Sequence, residues 1–112
     1  VAPQPTQTVV TGHSIETAFV ENPELESLIQ HPVNVDGSVL KRIREYKNIS
    51  VPEMMEFTKL CRRYVEAIEA DDAQGLPARA FVRGFIIQYC KALRVDDKKF
   101  VPQYLANLYG PL

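Results

Sequence analysis

The feature that most constrains the fold of this chain is an apolar stripe with helical spacing in residues 80–93. Large apolar side chains recur there every fourth residue, and two more lie beside them, so that the stripe consists of Phe81, Val82, Phe85, Ile86, Tyr89 and Leu93. Because residues four apart share one face of an α-helix, this spacing predicts a helix that is the central packing surface of a small domain. Pro77 suits the first turn of that helix, where no N–H is needed.

The middle of the predicted central helix contains Gly84, where glycine costs about 1 kcal/mol relative to alanine. A glycine at such a position indicates that another helix, or a partner, approaches the backbone closely. Phe81 and Phe85 lie on either side of it, one helical turn apart, and therefore project from the same face. We predict that Phe85 is the more buried of the two, because Phe81 lies in the first turn beside the loop.

Charge and composition divide the chain at about residue 36. Residues 1–36 are predicted to be an acidic linker or N-terminal arm, since they contain five acids and no Lys or Arg. The Pro-, Gln- and Thr-rich residues 1–12 are typical of a linker. Asn22-Pro23-Glu24 combines an N-cap, a first-position proline and an acidic first turn, and predicts a short helix near 23–30. Residues 37–112, which hold all 13 bases, are predicted to form one folded domain.

Two helices are predicted in the first half of this domain. Asp36 or Ser38 can cap a helix that runs to about Tyr46, with Leu40 and Ile43 facing inward and Arg44 facing out. The second helix begins with a capping-box pattern, Ser50-Val51-Pro52-Glu53, and ends near Phe57.

A three-residue turn over 58–60 then leads to a third helix that begins at Cys61, which is the layout of a helix-turn-helix. After the central helix, Asp96 or Asp97 is expected to cap a last helix that contains Phe100, Tyr104 and Leu105.

Several classes of function find no support in the sequence. Cys61 and Cys90 are isolated and far from either histidine, so we expect two buried, reduced thiols and neither a disulfide nor a zinc site. The sequence has no glycine-rich phosphate-binding loop, and no nucleophilic residue lies at a recognisable catalytic spacing from a general base. We therefore expect neither enzymatic activity nor a cofactor. No apolar run approaches eighteen residues, so we expect no membrane contact from this fragment, although a longer parent protein could carry a transmembrane segment.

The helix-turn-helix region resembles the lambda-repressor-like, Xre-type fold through Ser50, Glu53, Met54, Thr58, Leu60, Tyr64, Val65 and Ile68. The following residues are similar to a narrower family, the bacterial RodZ family, through Leu76-Pro77, the block Phe81-Val82-Arg83-Gly84-Phe85, and Tyr89. The resemblance covers about residues 37–105. It implies an all-α, five-helix, lambda-repressor-like domain of a cytoplasmic scaffolding protein that docks on MreB, an actin homologue, in the control of cell shape. By the same resemblance, the docking aromatic residues are Phe81 and Phe85. We expect Arg83 to bind the partner with them, because aromatic residues beside an arginine are typical of interaction hot spots.

The alternative function is that of an Xre-type DNA-binding transcriptional regulator. A helix-turn-helix places the start of its second helix against the edges of the DNA bases. The basic side chains available there are those of Lys59, Arg62 and Arg63. Glu66 would face the same surface and be repelled by the DNA backbone. Pro52, at the start of the preceding helix, lacks an N–H with which to contact phosphate. We therefore expect DNA binding to be weak, and a protein partner is the preferred interpretation.

Overall fold

The computed structural model describes residues 21–110, and this part of the chain is all-helical, which confirms the all-α part of the predicted fold class. The predicted linker over residues 1–12 lies outside the described residues. The α-helices between residues 21 and 110 are α1 (Pro23–Gln30), α2 (Gly37–Tyr46), α3 (Val51–Thr58), α4 (Arg62–Glu69), α5 (Arg79–Leu93) and α6 (Asp97–Tyr109), and a short 3-10 helix (Ala73–Gly75) precedes α5.

Most of these helices begin at the cap that the sequence predicts. The Asn22 side chain accepts hydrogen bonds from the first turn of α1, and Asp36 accepts one from α2 at 3.0 Å. Ser50 and Glu53 form the predicted capping box, with bonds of 3.2 and 2.9 Å. Asp96 caps α6. Each cap satisfies a backbone N–H that would otherwise lack a partner, and local sequence was therefore sufficient to place these ends.

The helix-turn-helix joins α3 to α4 through Lys59, Leu60 and Cys61, one residue later than predicted. Thr58 is the last residue of α3, and its hydroxyl donates to the carbonyl of Met54 at 2.6 Å. Lys59 then reverses the chain in a left-handed conformation, with φ of 61°. The prediction that both thiols are buried was wrong for Cys61, which is the exposed N-cap of α4, whereas Cys90 is buried in α5.

The central helix α5 packs against α3 on one side and against α6 on the other. Its fully buried side chains are Val82, Ile86, Tyr89, Cys90 and Leu93. The predicted stripe was therefore wrong at its start, because Phe81 is 63% exposed, and Phe85 is only partly buried. The order of burial predicted for these two phenylalanines is confirmed. Val82 is buried as predicted, and Cys90 joins the core, so that the buried face lies slightly to one side of the predicted stripe.

The start of α5 also differs from the prediction. Pro77 was expected in the first turn, but the helix begins at Arg79, with Ala78 as an N-cap that makes no side-chain bond. Leu76 is extended, with ψ of 158°, as the residue before a proline prefers. Pro77 therefore ends the loop and does not open the helix.

A buried charged network joins α2, α4 and α5, although Arg44 was predicted to face outward. The Arg44 side chain is 6% exposed, and its Nε donates to Glu69 at 2.6 Å. Its guanidinium also donates to the carbonyl of Ile49, while the Tyr89 hydroxyl donates to Glu69 at 2.5 Å. The hydrogen bond to Glu69 raises the pKa of Arg44, and burial raises the pKa of Tyr89 well above its ordinary value. The outward prediction was wrong because this arginine has a buried carboxylate partner.

The described part of the predicted arm is packed on the domain. Leu25 of α1 is buried, and the Tyr46 hydroxyl accepts from the N–H of Asn22 at 3.0 Å. Val35 is fully buried, and its carbonyl accepts a hydrogen bond from Asn107 of α6. Gln103 of the same helix donates to the carbonyl of Pro32 at 2.9 Å. From residue 22 onward the segment therefore belongs to the folded unit and is not a free linker.

Candidate partner-binding surface

Phe81 and Phe85 lie on the face of α5 that points away from α6. The Phe85 ring stacks on Tyr64 of α4, with 5.5 Å between the ring centroids and 28° between the ring planes. This stacking fixes Phe85 in one position, while Phe81, one turn earlier, remains exposed. Aromatic pairs of this kind contribute about 0.5–1.5 kcal/mol beyond their buried area. Phe85 and Tyr64 thus form a rigid aromatic ridge, and Phe81 is its exposed tip.

Gly84 lies on the exposed side of this ridge. A Cβ atom built on Gly84 would meet no atom within 4 Å, apart from its chain neighbours and the backbone of its own helix. The prediction that another helix approaches the backbone here was therefore wrong for residues 21–110. The second predicted reason for the glycine, an approach by a partner, is still open.

The exposed surface continues from the ridge towards the C-terminal end of α5. A shallow depression of about 290 Å³ is lined by Phe57 of α3 together with Gln88, Lys91, Ala92 and Arg94. Phe57 is 57% exposed. We call the surface made of Phe57, Phe81, Phe85 and Gln88 the aromatic strip. The sequence analysis used Phe57 only as the approximate end of α3 and did not identify it as a surface residue.

Arg83 does not lie on the aromatic strip. It follows Phe81 by two residues, which places it about 160° away around the helix axis. Its side chain instead lines a separate groove between α5 and α6, together with Arg79. The structure thus brings two of the predicted docking residues together and places the third on the opposite side of the helix.

The basic side chains predicted to contact DNA are partly neutralised by neighbouring carboxylates. Lys59 lies 3.7 Å from Glu56, and Arg62 lies 3.4 Å from Glu66. Arg63 shares a shallow depression with Glu66 and with Asp72, beyond the end of α4. Exposed ion pairs contribute little to stability, but carboxylates beside these basic side chains repel phosphate. This arrangement does not favour the reading of DNA.

Two further observations concern other classes of function. No group of three or more His, Cys, Asp or Glu side chains within residues 21–110 is arranged to hold a metal ion. In the same residues, no helix is both long enough and apolar enough to cross a lipid bilayer.

Comparison with known proteins places this geometry in a wider context. A family model described as a helix-turn-helix domain matches residues 39–100, more than half of the chain. The cytoskeleton protein RodZ of Streptococcus pneumoniae is 32% identical over 68 residues, which are 61% of this chain and 25% of that protein. The chain thus spans about a quarter of the length of this relative. No solved structure gives a significant match.

Proposed function

Since the chain belongs to the helix-turn-helix domain family and carries a RodZ-like domain, we propose that it is a docking module of a cytoskeleton-associated scaffolding protein. The module uses its helix-turn-helix as a framework for protein contact and not for the reading of DNA. Its partner is a filament protein of the MreB type, as the family resemblance implies, and its role lies in cell shape or cell organisation.

The observation that carries this proposal is the 63% exposure of Phe81 beside three other members of the aromatic strip. Full burial of a phenylalanine side chain contributes about 1.5–3 kcal/mol, and Phe81 leaves most of that free energy unused in the isolated domain. Aromatic side chains that lie next to one another on a surface are the usual anchors of protein interfaces. A partner that covers the strip would recover this free energy.

The stacking of Phe85 on Tyr64 supports the same function. A ring already held at 5.5 Å from its neighbour loses little conformational freedom when a partner covers it. The open space over Gly84 lies beside the two phenylalanines on the exposed side of α5 and admits an atom of the partner close to the helix backbone. The strip therefore offers a fixed ridge, an exposed tip and a notch.

The charge near the C-terminal end of the strip indicates which partner surfaces fit. Lys91 and Arg94 line the depression that contains Phe57, and neither has a carboxylate within 4 Å among the described residues. Complementary charge raises association rates and excludes wrong partners. The aromatic strip is therefore complementary to a partner surface that has a shallow apolar pocket with acidic groups at one edge.

The test compares Phe81→Ala with Val33→Ala for binding to purified MreB. Val33 is exposed to nearly the same extent, 61%, but belongs to the segment between α1 and α2. We expect Phe81→Ala to weaken binding by about 2 kcal/mol, or about 30-fold, with unchanged helical circular dichroism. Val33→Ala should bind like the wild type. Equal binding by all three proteins would rule out Phe81 as an anchor, and a loss in both variants would show that the assay reports general surface hydrophobicity.

A further inference from the structure

The groove between α5 and α6 is a second candidate interaction surface, on the opposite side of α5 from the aromatic strip. Its volume is about 370 Å³. Its floor comes from α6 and is mostly apolar, and its α5 side consists of Arg79 and Arg83, so that the lining residues are Arg79, Arg83, Val101, Pro102, Leu105, Ala106 and Gly110. Pro102 and Ala106 are exposed, and Leu105 is only partly buried. An apolar surface is therefore open beside two cations.

Neither arginine of the groove has an acidic partner in the described part of the chain. Four other bases there lie within 4.0 Å of a carboxylate, namely Arg42, Arg44, Lys59 and Arg62. Arg79 instead lies over the ring of Tyr109, with 4.6 Å from its guanidinium carbon to the ring centroid. This contact uses the flat face of the guanidinium and leaves its N–H edge available. It also fixes Arg79 at the end of the groove.

We propose that this groove binds an acidic, amphipathic peptide segment of a protein partner. Arg83, with Arg79 behind it, would hold a carboxylate of that segment through charge-assisted hydrogen bonds. A neighbouring aliphatic or aromatic side chain would cover Pro102, Leu105 and Ala106. The two arginines favour a segment that carries acidic residues. The apolar floor disfavours a segment that is acidic throughout, because such a segment has no apolar side chain to cover it. Because the groove and the aromatic strip lie on opposite sides of α5, both sites can be occupied at once.

A peptide selection tests the proposal without a known partner. A library of random peptides displayed on phage is selected on the full chain, and the recovered peptides are measured against Arg83→Glu, Ala106→Glu and Phe81→Ala. Both groove positions are exposed, so these variants should keep the circular dichroism of the wild type. We expect recovered peptides to combine Asp or Glu with large apolar residues. Arg83→Glu and Ala106→Glu should weaken their binding about tenfold or more, and Phe81→Ala should leave it unchanged.

A charge exchange provides the sharpest control. Replacement of the acidic residue of a selected peptide by Lys should weaken binding to the wild type and restore binding to Arg83→Glu. The proposal is overturned if the selected peptides are basic or wholly apolar, if none is enriched, or if Arg83→Glu binds them like the wild type. It is also overturned if deletion of residues 1–20 strengthens peptide binding, since the chain's own N-terminal segment would then fill the groove. Concentration-dependent self-association that Arg83→Glu abolishes would assign the groove to a second copy instead.

Discussion

The replacement Gly84→Ala separates the stability of the domain from its proposed function. Gly84 is exposed, lies in the middle of α5, and has no neighbour within 4 Å of the position that a Cβ would take. Alanine removes the conformational freedom that glycine gives to the unfolded chain, without a clash in the folded one. We therefore expect Gly84→Ala to raise the free energy of unfolding by about 0.5–1 kcal/mol. For a domain of this size, this corresponds to a rise of about 2–8 °C in the melting temperature.

Gly37→Ala is the matched control for this experiment. A Cβ on Gly37, the first residue of α2, would lie 2.4 Å from the backbone oxygen of Ile68 and 2.5 Å from that of Glu69. Because these atoms belong to the backbone of α4, the two helices would have to move apart. We expect a loss of about 1–3 kcal/mol. Urea denaturation followed by circular dichroism measures both changes on one scale.

Partner binding by the same variants tests the proposed role of the aromatic strip. If a partner approaches the backbone at Gly84, the stabilised Gly84→Ala domain should bind MreB about tenfold more weakly than the wild type. A variant that is more stable and binds equally well would show that the glycine is not a contact. A variant that is less stable than the wild type would refute the structural reasoning itself, because the added methyl group would then meet an obstruction.

Three further predictions concern the interior and the helix-turn-helix. Glu69→Gln leaves a buried arginine without its carboxylate and should lower the free energy of unfolding by about 3–5 kcal/mol. Glu66→Gln removes one partner of an exposed ion pair and should lower it by less than about 1 kcal/mol. Similar urea midpoints for the two variants would contradict the buried network. A thiol-specific chromogenic reagent should modify exposed Cys61 rapidly and Cys90, whose pKa is raised by burial to about 12, only on unfolding; two equally fast thiols would contradict the packing of α5. DNA titrations at physiological salt should show weak binding without sequence preference, and a sub-micromolar preference that Arg63→Ala removes would restore the transcription-factor function.

Local signals in the sequence were sufficient for the first residues and caps of α1, α2, α3 and α6. Asn22, Asp36, Ser50 and Asp96 each act on the N–H groups of their own first turn, so that a few neighbouring residues contain the necessary information. The described part of α1 follows the predicted bounds for the same reason. The docking of α1 on the domain could not be predicted from these local signals, because it depends on Tyr46, which lies 20 residues or more away along the chain.

The wrong orientation predicted for Arg44 and the separation of Arg83 from the aromatic strip have a common physical origin. Arg44 lies four residues after the buried Leu40, so that helical spacing places it on the inner face, but its charge favoured the outer one. Only Glu69, 25 residues later, makes its burial favourable. Arg83 was predicted to act with Phe81 and Phe85 because aromatic residues beside an arginine are typical of interaction hot spots, although residues two apart in a helix point in nearly opposite directions. In both cases the deciding partner lies on another helix.

The hydrogen bonds between α6 and the segment before α2 determine the order in which the domain assembles. Gln103 and Asn107 reach Pro32 and Val35 across 68, 71 and 72 residues. Closing a loop of that length costs roughly 4 kcal/mol in chain entropy, whereas the turn between α3 and α4 closes within a few residues. The helix-turn-helix should therefore form early, and the joining of the two ends should complete folding. In native-state hydrogen exchange, α1, the segment over 31–36 and the outer turns of α6 should open together, at a lower free energy than α5.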